Sequence, residues 1–226
     1  MLHLAREANL PLSTAHRLVL AFEQRGFLAR ERRGRFLPGP ALMTLAAKSD
    51  FTSVLARVSR PILMDISRQT RSVVHLGVFE HDMVTYLVKA ASPRTKIFTR
   101  EGCQLEAYCS GIGKVLLAFL SNEVREQYLS EGLFVSLTTT TIIDVDQLRD
   151  ALNKIREQGY AVDNGEIDES IRCVAVPLFG HNREVCAAVS VLAPSGPLSQ
   201  LTIDGCLATL RQATSLIEAR LFPLVD

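Results

Sequence analysis

The 226-residue sequence lacks the features that mark several large classes of protein. It has no run of about 18 apolar residues, which is the length that a helix needs to cross a bilayer. Its first residues do not show the charged head, long apolar stretch and small-residue cleavage site of a signal peptide. It contains no internal repeat and no low-complexity tract. We therefore predict one large globular domain or two modest ones, each with a buried core.

Cysteine is scarce, and no two cysteines form a CxxC pair. Zinc clusters need closely spaced ligands, and the disulfide framework of a secreted protein uses an even number of cysteines. His75, His81 and His181 have no metal-ligand spacing either. We expect a reducing, cytoplasmic compartment and no metal or other cofactor. The five cysteines are Cys103, Cys109, Cys173, Cys186 and Cys206.

The net charge of +1 conceals an uneven distribution along the chain. Residues 1–48 contain eight Lys or Arg and three Asp or Glu, a balance of +5. The other 178 residues contain 17 basic and 21 acidic residues, a balance of −4. This asymmetry predicts a small basic head, suited to an anionic partner, joined to a larger and mildly acidic body.

The first part of the basic head has the pattern of two helices separated by a tight turn. Residues 2–8 have apolar side chains at helical spacing, and residues 9–11 favour a turn. A second helix is predicted to follow, capped by Ser13 or Thr14 and ended by Gly26. Its inward stripe is predicted to contain Ala15, Leu18, Val19 and Phe22.

The residues after this helix predict a basic β-hairpin, with strands at 27–31 and 35–37, which completes the order of elements of a winged helix-turn-helix. The outer face of the helix carries short or hydrogen-bonding side chains that fit the major groove of DNA, and the hairpin arginines, Arg30 among them, are suited to phosphates. The alternative is a solvated helix face beside a charged turn. The candidate DNA-binding residues are Ser13, Thr14, His16, Arg17, Arg32, Arg33 and Arg35.

The remainder of the chain predicts a linker helix and a second, larger domain. The domain boundaries are placed at 1–39 for the head, 40–52 for the linker helix and 53–226 for the second domain. A separate helix is predicted to begin at Pro61. The strand patterns "SVVHLGVF", "MVTYLVKA", "IRCVAVPLF" and "EVCAAVSVL" alternate with helical segments such as "DQLRDALNKIREQGY". The predicted class is therefore α+β, with an antiparallel sheet and flanking helices.

The chain resembles the IclR-type family of bacterial transcriptional regulators over nearly its whole length. The resemblance rests on the order and spacing of "LPLSTAHRL", "RGFLARERRGRFLPGP", "RPILMDIS", "SGIGKVLLAFL", "IREQGYAVDNGE" and "RCVAVPLFGHNREVCAAVSVLAPSGPLS". It implies a winged helix-turn-helix joined to a GAF-like domain that binds a small effector, often an organic acid. It also implies dimers, or dimers of dimers, on roughly palindromic operator DNA.

The resemblance also implies an effector pocket. Its floor is the start of the "SGIGK" helix, at Gly111 and Ile112, where free backbone N–H groups attract a carboxylate. Asp163 and Cys173 correspond to the family's Asp and Cys. Of two alternating serines on the last strand, only Ser190 is present, and the second position is Leu192. This departure and Ile112 disfavour a compact polar acid such as glyoxylate. We expect an acid with an apolar or aromatic body, with Asp163 accepting a hydrogen bond from the ligand.

Each pocket residue has a purely structural alternative. Cys173 is explained equally well as a small core residue, Asp163 as a turn cap, and Ser190 as a buried hydroxyl with a protein partner. Lys114 is not a phosphate-binding lysine, because "SGIGK" lacks the first Gly of a Walker loop and the Ser or Thr after the Lys. We predict a structural or helix-surface role for it. No motif places a His and an Asn or Asp beside Cys173 or Cys109, so we expect no enzymatic activity.

The start of the sequence raises one further expectation. The family has a helix before residues 2–8, and this sequence has no residues for it. We therefore expect Leu4, Leu18 and Phe22 to lack a packing partner. The main functional prediction is a ligand-responsive, DNA-binding regulator, and the alternative is a small-molecule sensor or dimerisation module whose DNA binding is impaired.

Overall fold

The computed structural model describes residues 1–48, 50–92, 97–193 and 198–223. The chain divides into two compact units, residues 1–54 and 55–226, which are described separately below. Among the described residues, no helix has both the length and the apolar character needed to span a bilayer.

The first unit has the element order of a winged helix-turn-helix. The two strands pair antiparallel, with Leu28 opposite Pro38 and Arg30 opposite Phe36. Asn9 has a positive φ of 50° in the turn between the first two helices, and Gly26 has a φ of 71° just after the second. The elements are α1 (Leu2–Glu7), α2 (Leu12–Gln24), β1 (Leu28–Arg30), a short 3₁₀ helix (Arg32–Gly34), β2 (Phe36–Pro38) and α3 (Pro40–Lys48).

Helix α2 differs from the prediction at its start and on its inward face. It begins at Leu12 after Pro11, and no side chain caps it. The predicted cap was wrong because the φ angle of proline already suits a helix start, which leaves Ser13 and Thr14 within the first turn. In the predicted inward stripe, Ala15 and Val19 are buried. Leu18 and Phe22 are instead 41% and 44% exposed, and Leu4 of α1 is 41% exposed.

Helix α4 (Phe51–Thr70) is continuous through Pro61, so the predicted separate helix is wrong. A proline inside a helix removes one backbone hydrogen bond and crowds the preceding turn. Here the apolar residues before and after Pro61 share one buried face, among them Leu55, Ile62 and Leu63. Burial of this common face offsets the local cost of the proline.

The second unit is built around one antiparallel sheet of six strands, in the order β5-β4-β3-β8-β7-β6. Helices flank this sheet, so the predicted α+β class is confirmed. The strands are β3 (Val74–Glu80), β4 (Met83–Ala90), β5 (Gln104–Glu106), β6 (Ala161–Asn164), β7 (Arg172–Phe179) and β8 (Val185–Leu192). The helices that follow α4 are α5 (Gly111–Phe119), α6 (Asn122–Glu131), α7 (Val145–Gln158) and α8 (Gln200–Leu221).

The sheet has an apolar core on each face. Residues of α4 and α8 cover one face, where they pack on alternate strand residues such as Leu76 and Val189. Residues of α5, α6 and α7 form the core of the other face with Ala175 and Ala188. Helix α5 approaches the sheet closely because Gly77 has no side chain there: a Cβ atom would lie 3.0 Å from Ile112 Cγ2. This close approach places the start of α5 directly on the sheet.

Candidate functional site

The six predicted effector-binding residues line one cavity at the start of α5. The cavity is narrow, with about 20 Å³ open to the centre of a water-sized sphere, so a larger ligand must displace part of the wall. The predicted residues in its wall are Gly111, Ile112, Asp163, Cys173, Ser190 and Leu192. The structure adds residues to the wall that were not predicted, including His75, Tyr86, Ile97, Phe98, Thr99 and Leu105.

Strand register brings the sheet residues of this wall together. Asp163 on β6 pairs with Cys173 on β7, which pairs in turn with Leu192 on β8. In the next row, Ser190 pairs with His75 on β3. Two adjacent rows of the sheet therefore supply a carboxyl group, a thiol, a hydroxyl and an imidazole to one small space.

The start of α5 forms the floor of the cavity. Ser110 caps the helix, and its hydroxyl oxygen accepts a hydrogen bond from the Gly113 amide at 3.1 Å. A Cβ atom on Gly111 would lie only 2.8 Å from Cys173 Sγ, so only glycine allows the helix to begin this close to β7. The cap uses the Gly113 amide and the Gly111 amide interacts with the Cys173 sulfur, so Ile112 holds the remaining N–H group of the first turn that could attract an anion.

Asp163 lines the cavity and also caps a turn. Its Oδ1 accepts a hydrogen bond from the Glu166 amide at 2.8 Å. Burial raises the pKa of Asp163 to about 6, although the Glu166 amide and the Lys114 ammonium favour the ionised form. The predicted structural alternative, a turn cap, is therefore present in the same residue that lines the cavity.

The turn that carries Asp163 is held by a buried ion pair between Lys114 and Glu166. Lys114 Nζ also donates to the Val162 carbonyl at 3.0 Å. Lys114 therefore has a structural role, which is one of the two roles that we predicted for it. Its side chain is buried in the interior and does not lie on the helix surface. From the other side, the hydroxyls of Thr138 and Thr141 each donate at 2.7 Å to carbonyls of this turn. The position of Asp163 is thus fixed by its surroundings.

The thiols near the cavity are not activated as nucleophiles. Burial raises the pKa of Cys109 to about 12, and burial also raises the pKa of Cys173. Both side chains are therefore protonated at neutral pH, whereas a nucleophilic cysteine must form a thiolate. No group of three or more metal-ligating side chains occurs in the described part of the chain.

A strap of residues 97–99 closes one side of the cavity, and its contacts include residues that the sequence reasoning missed. Lys89 Nζ donates to the carbonyls of Ile97 and Thr99, at 3.3 and 2.6 Å. His75 Nε2 lies 2.9 Å from Thr99 Oγ1, and burial lowers the pKa of His75 to about 3, so its ring is neutral. The signal for His75 was a lone polar residue within the apolar run "SVVHLGVF".

The candidate DNA-binding residues lie on the first unit. Ser13, His16 and Arg17 are exposed and share one face of α2, whereas Thr14 is half-buried. Arg32 and Arg35 are exposed on the hairpin. Arg33 lies in the short 3₁₀ helix, and its side chain is outside the described residues.

Arg30 differs from the other hairpin arginines. Its guanidinium group makes two hydrogen bonds of 2.8 Å with the Glu23 carboxylate. It also lies over the ring of Phe36, 5.3 Å from the ring centre. Arg30 therefore joins α2 to the hairpin. From the sequence we expected this arginine to bind DNA phosphates, but its contacts with Glu23 and Phe36 leave its guanidinium group less available for that role.

Two family models match the chain. The model described as the IclR helix-turn-helix domain matches residues 3–32. The model described as the C-terminal region of the bacterial transcriptional regulator IclR matches residues 52–219.

Individual relatives agree with these matches. RhmR of Escherichia coli K12, an HTH-type transcriptional regulator, is 34% identical and aligns over 81% of this chain and 71% of its own length. KdgR of the same organism, also an HTH-type transcriptional regulator, is 29% identical over 96% of this chain and 84% of its own length. A solved IclR homologue from Microbacterium hydrocarbonoxydans, in complex with 4-hydroxybenzoate, has 30% identity and a TM-score of 0.69. It covers 96% of this chain and 88% of its own.

Proposed function

This chain belongs to the IclR family of bacterial transcriptional regulators, a non-enzymatic family of ligand-responsive DNA-binding proteins, and we propose that its ligand is a small carboxylic acid bound in the cavity at the start of α5. The observation that carries the proposal is the convergence of Gly111, Ile112, Asp163, Cys173, Ser190 and Leu192 on that cavity. The first turn of α5 supplies N–H groups and the positive end of the helix dipole, both of which favour a carboxylate.

The rest of the cavity wall favours an acid with an apolar or aromatic body. Phe98, Ile112 and Leu192 all line the space, together with three further isoleucine side chains. Leu192 stands where a second serine would give a compact acid another hydrogen bond. The complex of the Microbacterium homologue with 4-hydroxybenzoate supports an aromatic acid as the first class to test.

We propose that the first unit binds operator DNA through α2 and the hairpin. Ser13, His16 and Arg17 would face base edges in the major groove, because they are exposed on one side of α2. Arg32 and Arg35 would contact phosphates. A half-buried Thr14 is better placed to support the helix than to reach a base.

We further propose that the protein acts in the cytoplasm as a homodimer or a dimer of dimers. A dimer presents two reading heads to the two halves of a palindromic operator, and two-fold symmetry is the commonest arrangement of soluble homo-oligomers. Light scattering coupled to size-exclusion chromatography tests the oligomer directly, and a monomer at all concentrations would contradict it.

Isothermal titration tests the ligand class. We expect benzoate and 4-hydroxybenzoate to bind more tightly than glyoxylate and pyruvate, because the apolar wall contributes only with the larger acids. The variant Leu192→Ser is the matched control, and it should shift the preference toward the small acids. Binding confined to glyoxylate and pyruvate would contradict the proposal.

A gel-shift experiment with DNA from upstream of the protein's own gene tests the regulatory function. We expect a shift whose midpoint changes when the bound acid is added. Acid binding without any DNA shift would instead support the alternative function, a sensor module without DNA binding.

A further inference from the structure

Tyr86 lines the cavity, although the sequence reasoning did not include it. The residue is only 6% exposed. Its hydroxyl makes no hydrogen bond with any of the residues that the structure describes, and the same is true of the Ser190 hydroxyl, on a residue that is 3% exposed. Neither oxygen is among the fully enclosed side-chain oxygens that lack a partner in the described residues, so each reaches the open space of the cavity. A hydroxyl that faces a cavity takes its hydrogen-bond partner from a bound molecule or from water. Two such groups facing one cavity indicate a partner that enters from outside the chain.

Tyr108 provides a contrast within the same unit. Its hydroxyl donates to the Val135 carbonyl at 2.8 Å and accepts from the Val135 amide at 3.0 Å. The Tyr108 hydroxyl therefore has an evident structural role. Tyr86 has none of this kind among the described residues, so its hydroxyl needs a different explanation.

A β-bulge directs Tyr86 to the cavity. Leu76 on β3 pairs with Val88, but the next residue, Gly77, pairs with Tyr86, so that Leu87 is passed over. An extra residue in one strand reverses the alternation of its side chains beyond that point. Bulges of this kind re-aim a side chain, and they are common beside binding sites.

The two cores show this reversal. Val84 and Tyr86 belong to the core on the α5 face of the sheet. Val88 and Ala90 belong to the opposite core, although all four residues would share one face in a regular strand. Without the bulge, a strand in register with Val88 and Ala90 would place Tyr86 away from the cavity.

The ring of Tyr86 is held in place by its neighbour. His75 packs against it edge-to-face, with 5.0 Å between ring centres and 80° between ring planes. His75 is itself held by Thr99. Burial, followed by the nearby Cys173 and Asp163, raises the pKa of Tyr86, so the hydroxyl keeps its proton and is a donor.

We propose that Tyr86 is a ligand-binding residue whose hydroxyl, together with that of Ser190, donates a hydrogen bond to the carboxylate of the bound acid. This inference rests on the proposed function, and it adds a donor on β4, two strands away from Leu192 on β8. The carboxylate is then bound by neutral groups, which are the Tyr86 and Ser190 hydroxyls and the amides at the start of α5. Such donors favour an anion over a neutral or cationic ligand.

The variant Tyr86→Phe tests the first part of this inference without any ligand. Removing a hydroxyl that has no protein partner should leave the midpoint of urea unfolding unchanged or slightly raised. The matched control, Tyr108→Phe, removes a hydroxyl with two protein hydrogen bonds and should lower the midpoint. If the urea midpoint of Tyr86→Phe fell as far as that of Tyr108→Phe, the inference would be overturned, because the Tyr86 hydroxyl would then have a partner within the protein.

Calorimetric titration of both variants with benzoate and with 4-hydroxybenzoate tests the second part. For Tyr86→Phe we expect affinity to fall about tenfold or more, as for a lost hydrogen bond to a charged group, and by the same factor for both acids. Tyr108→Phe should bind as the wild type does. An unchanged affinity, or a loss confined to 4-hydroxybenzoate, would overturn the assignment to the carboxylate. If the wild type binds neither acid, the proposed ligand class fails, while the unfolding comparison still judges the Tyr86 hydroxyl.

Discussion

At the scale of single residues, the cavity wall contains two kinds of side chain. Gly111 and Asp163 are needed by the fold, since one allows the close approach of α5 and the other caps a turn. The hydroxyls of Tyr86 and Ser190 and the side chain of Leu192 face the cavity, and none of them caps a turn or permits the close approach of a helix. Substitutions of Gly111 and Asp163 should therefore change stability as well as binding, whereas removal of the Tyr86 or Ser190 hydroxyl should change binding alone.

Asp163 should make stability depend on pH. Its pKa in the folded protein is about 6, above the usual 3.8, so folding favours the protonated form. The stability from this group is present below pH 4 and is lost as pH rises through about 6, with a total of about 3 kcal/mol. We predict that Asp163→Asn, which keeps an acceptor for the Glu166 amide, unfolds at higher urea concentration than the wild type at pH 7.5.

The control for this prediction is Asp168→Asn. Asp168 is half-buried at the protein surface, and hydrogen bonds from Ser170 lower its pKa, so its contribution has the opposite sign and is lost as pH falls. Urea unfolding of the three proteins between pH 4.5 and 7.5 gives the measurement. Parallel curves for the wild type and Asp163→Asn would show that Asp163 is not the source of the dependence.

Gly111 should not tolerate a side chain. Gly111→Ala places a Cβ atom 2.8 Å from Cys173 Sγ, so the Cys173 side chain, the helix or the strand must shift. We predict a loss of about 1–3 kcal/mol in the free energy of unfolding, as for other overpacked cores, together with weaker acid binding. The double variant Gly111→Ala, Cys173→Ala relieves the contact and should recover much of the lost stability. No recovery would mean that the clash lies elsewhere.

Arg35 should contribute to DNA affinity through charge alone. We predict that Arg35→Ala weakens operator binding at low salt and reduces the slope of log affinity against log salt by about one. Arg220→Ala, which removes an exposed arginine from α8, is the matched control and should leave the slope unchanged. Gel-shift titrations at several salt concentrations measure both, and equal slopes for Arg35→Ala and the wild type would contradict the prediction.

Some of these residues could be predicted from the sequence, and others could not. The six pocket residues were found because the resemblance supplied their spacing. Tyr86 was missed because its exposure to the cavity depends on the bulge at Leu87, which is not visible in a regular alternation of apolar residues. His75 was missed because it meets Ser190 and Thr99 only when β3 pairs with β8 and the strap folds over the sheet. The pairing of Arg30 with Glu23 was missed for a similar reason, since the two residues are seven positions apart and meet only when the hairpin folds back on α2.

At the scale of elements, the sequence predicted the helices and strands better than their ends. The strands β3 and β8 and the helix α7, which Gly159 follows, are predicted directly from apolar periodicity and turn residues. The continuity of α4 through Pro61 could not be predicted locally, because the compensating burial comes from α8 and the sheet. The start of α2 was misplaced because proline and two hydroxyl residues compete for the same role.

The strap of residues 97–99 should govern access to the cavity. We predict that Lys89→Met, which removes the hydrogen bonds to the Ile97 and Thr99 carbonyls, increases the rate at which iodoacetamide alkylates Cys173. The increase should be about tenfold if the strap opens locally. Lys154→Met, at an exposed position of α7, is the matched control.

Trypsin makes this measurement specific to one thiol. Cleavage after Arg172 and Arg183 releases residues 173–183, in which Cys173 is the only cysteine. Mass spectrometry of that peptide therefore reports the cavity alone. Equal alkylation rates in Lys89→Met and in the wild type would show that the strap is held by other contacts.

At the scale of the whole molecule, the order of elements was predictable, because each of the two units has its own hydrophobic pattern and the resemblance covers both. The packing of six strands in the order β5-β4-β3-β8-β7-β6 was not predictable from pattern, since β3 and β8 are neighbours although they are far apart in the chain.

Acid binding and operator binding should be coupled reciprocally. If an acid changes operator affinity by some factor, operator DNA must change the affinity for that acid by the same factor. We predict equal factors from gel shifts with and without 4-hydroxybenzoate and from calorimetry with and without operator. A factor present in only one direction would show that the acid acts at a second site or alters the oligomer.

The cavity wall separates residues that the fold requires from residues that face the ligand, and this separation is useful for protein engineering. A library that varies positions 86, 190 and 192 would leave the helix start, the turn cap and the buried ion pair intact. Members that keep an aromatic ring at position 86, which belongs to the core, should therefore fold. Selection for reporter expression could then retune the regulator toward acids of chosen shape, so that the same scaffold would serve as a family of intracellular biosensors.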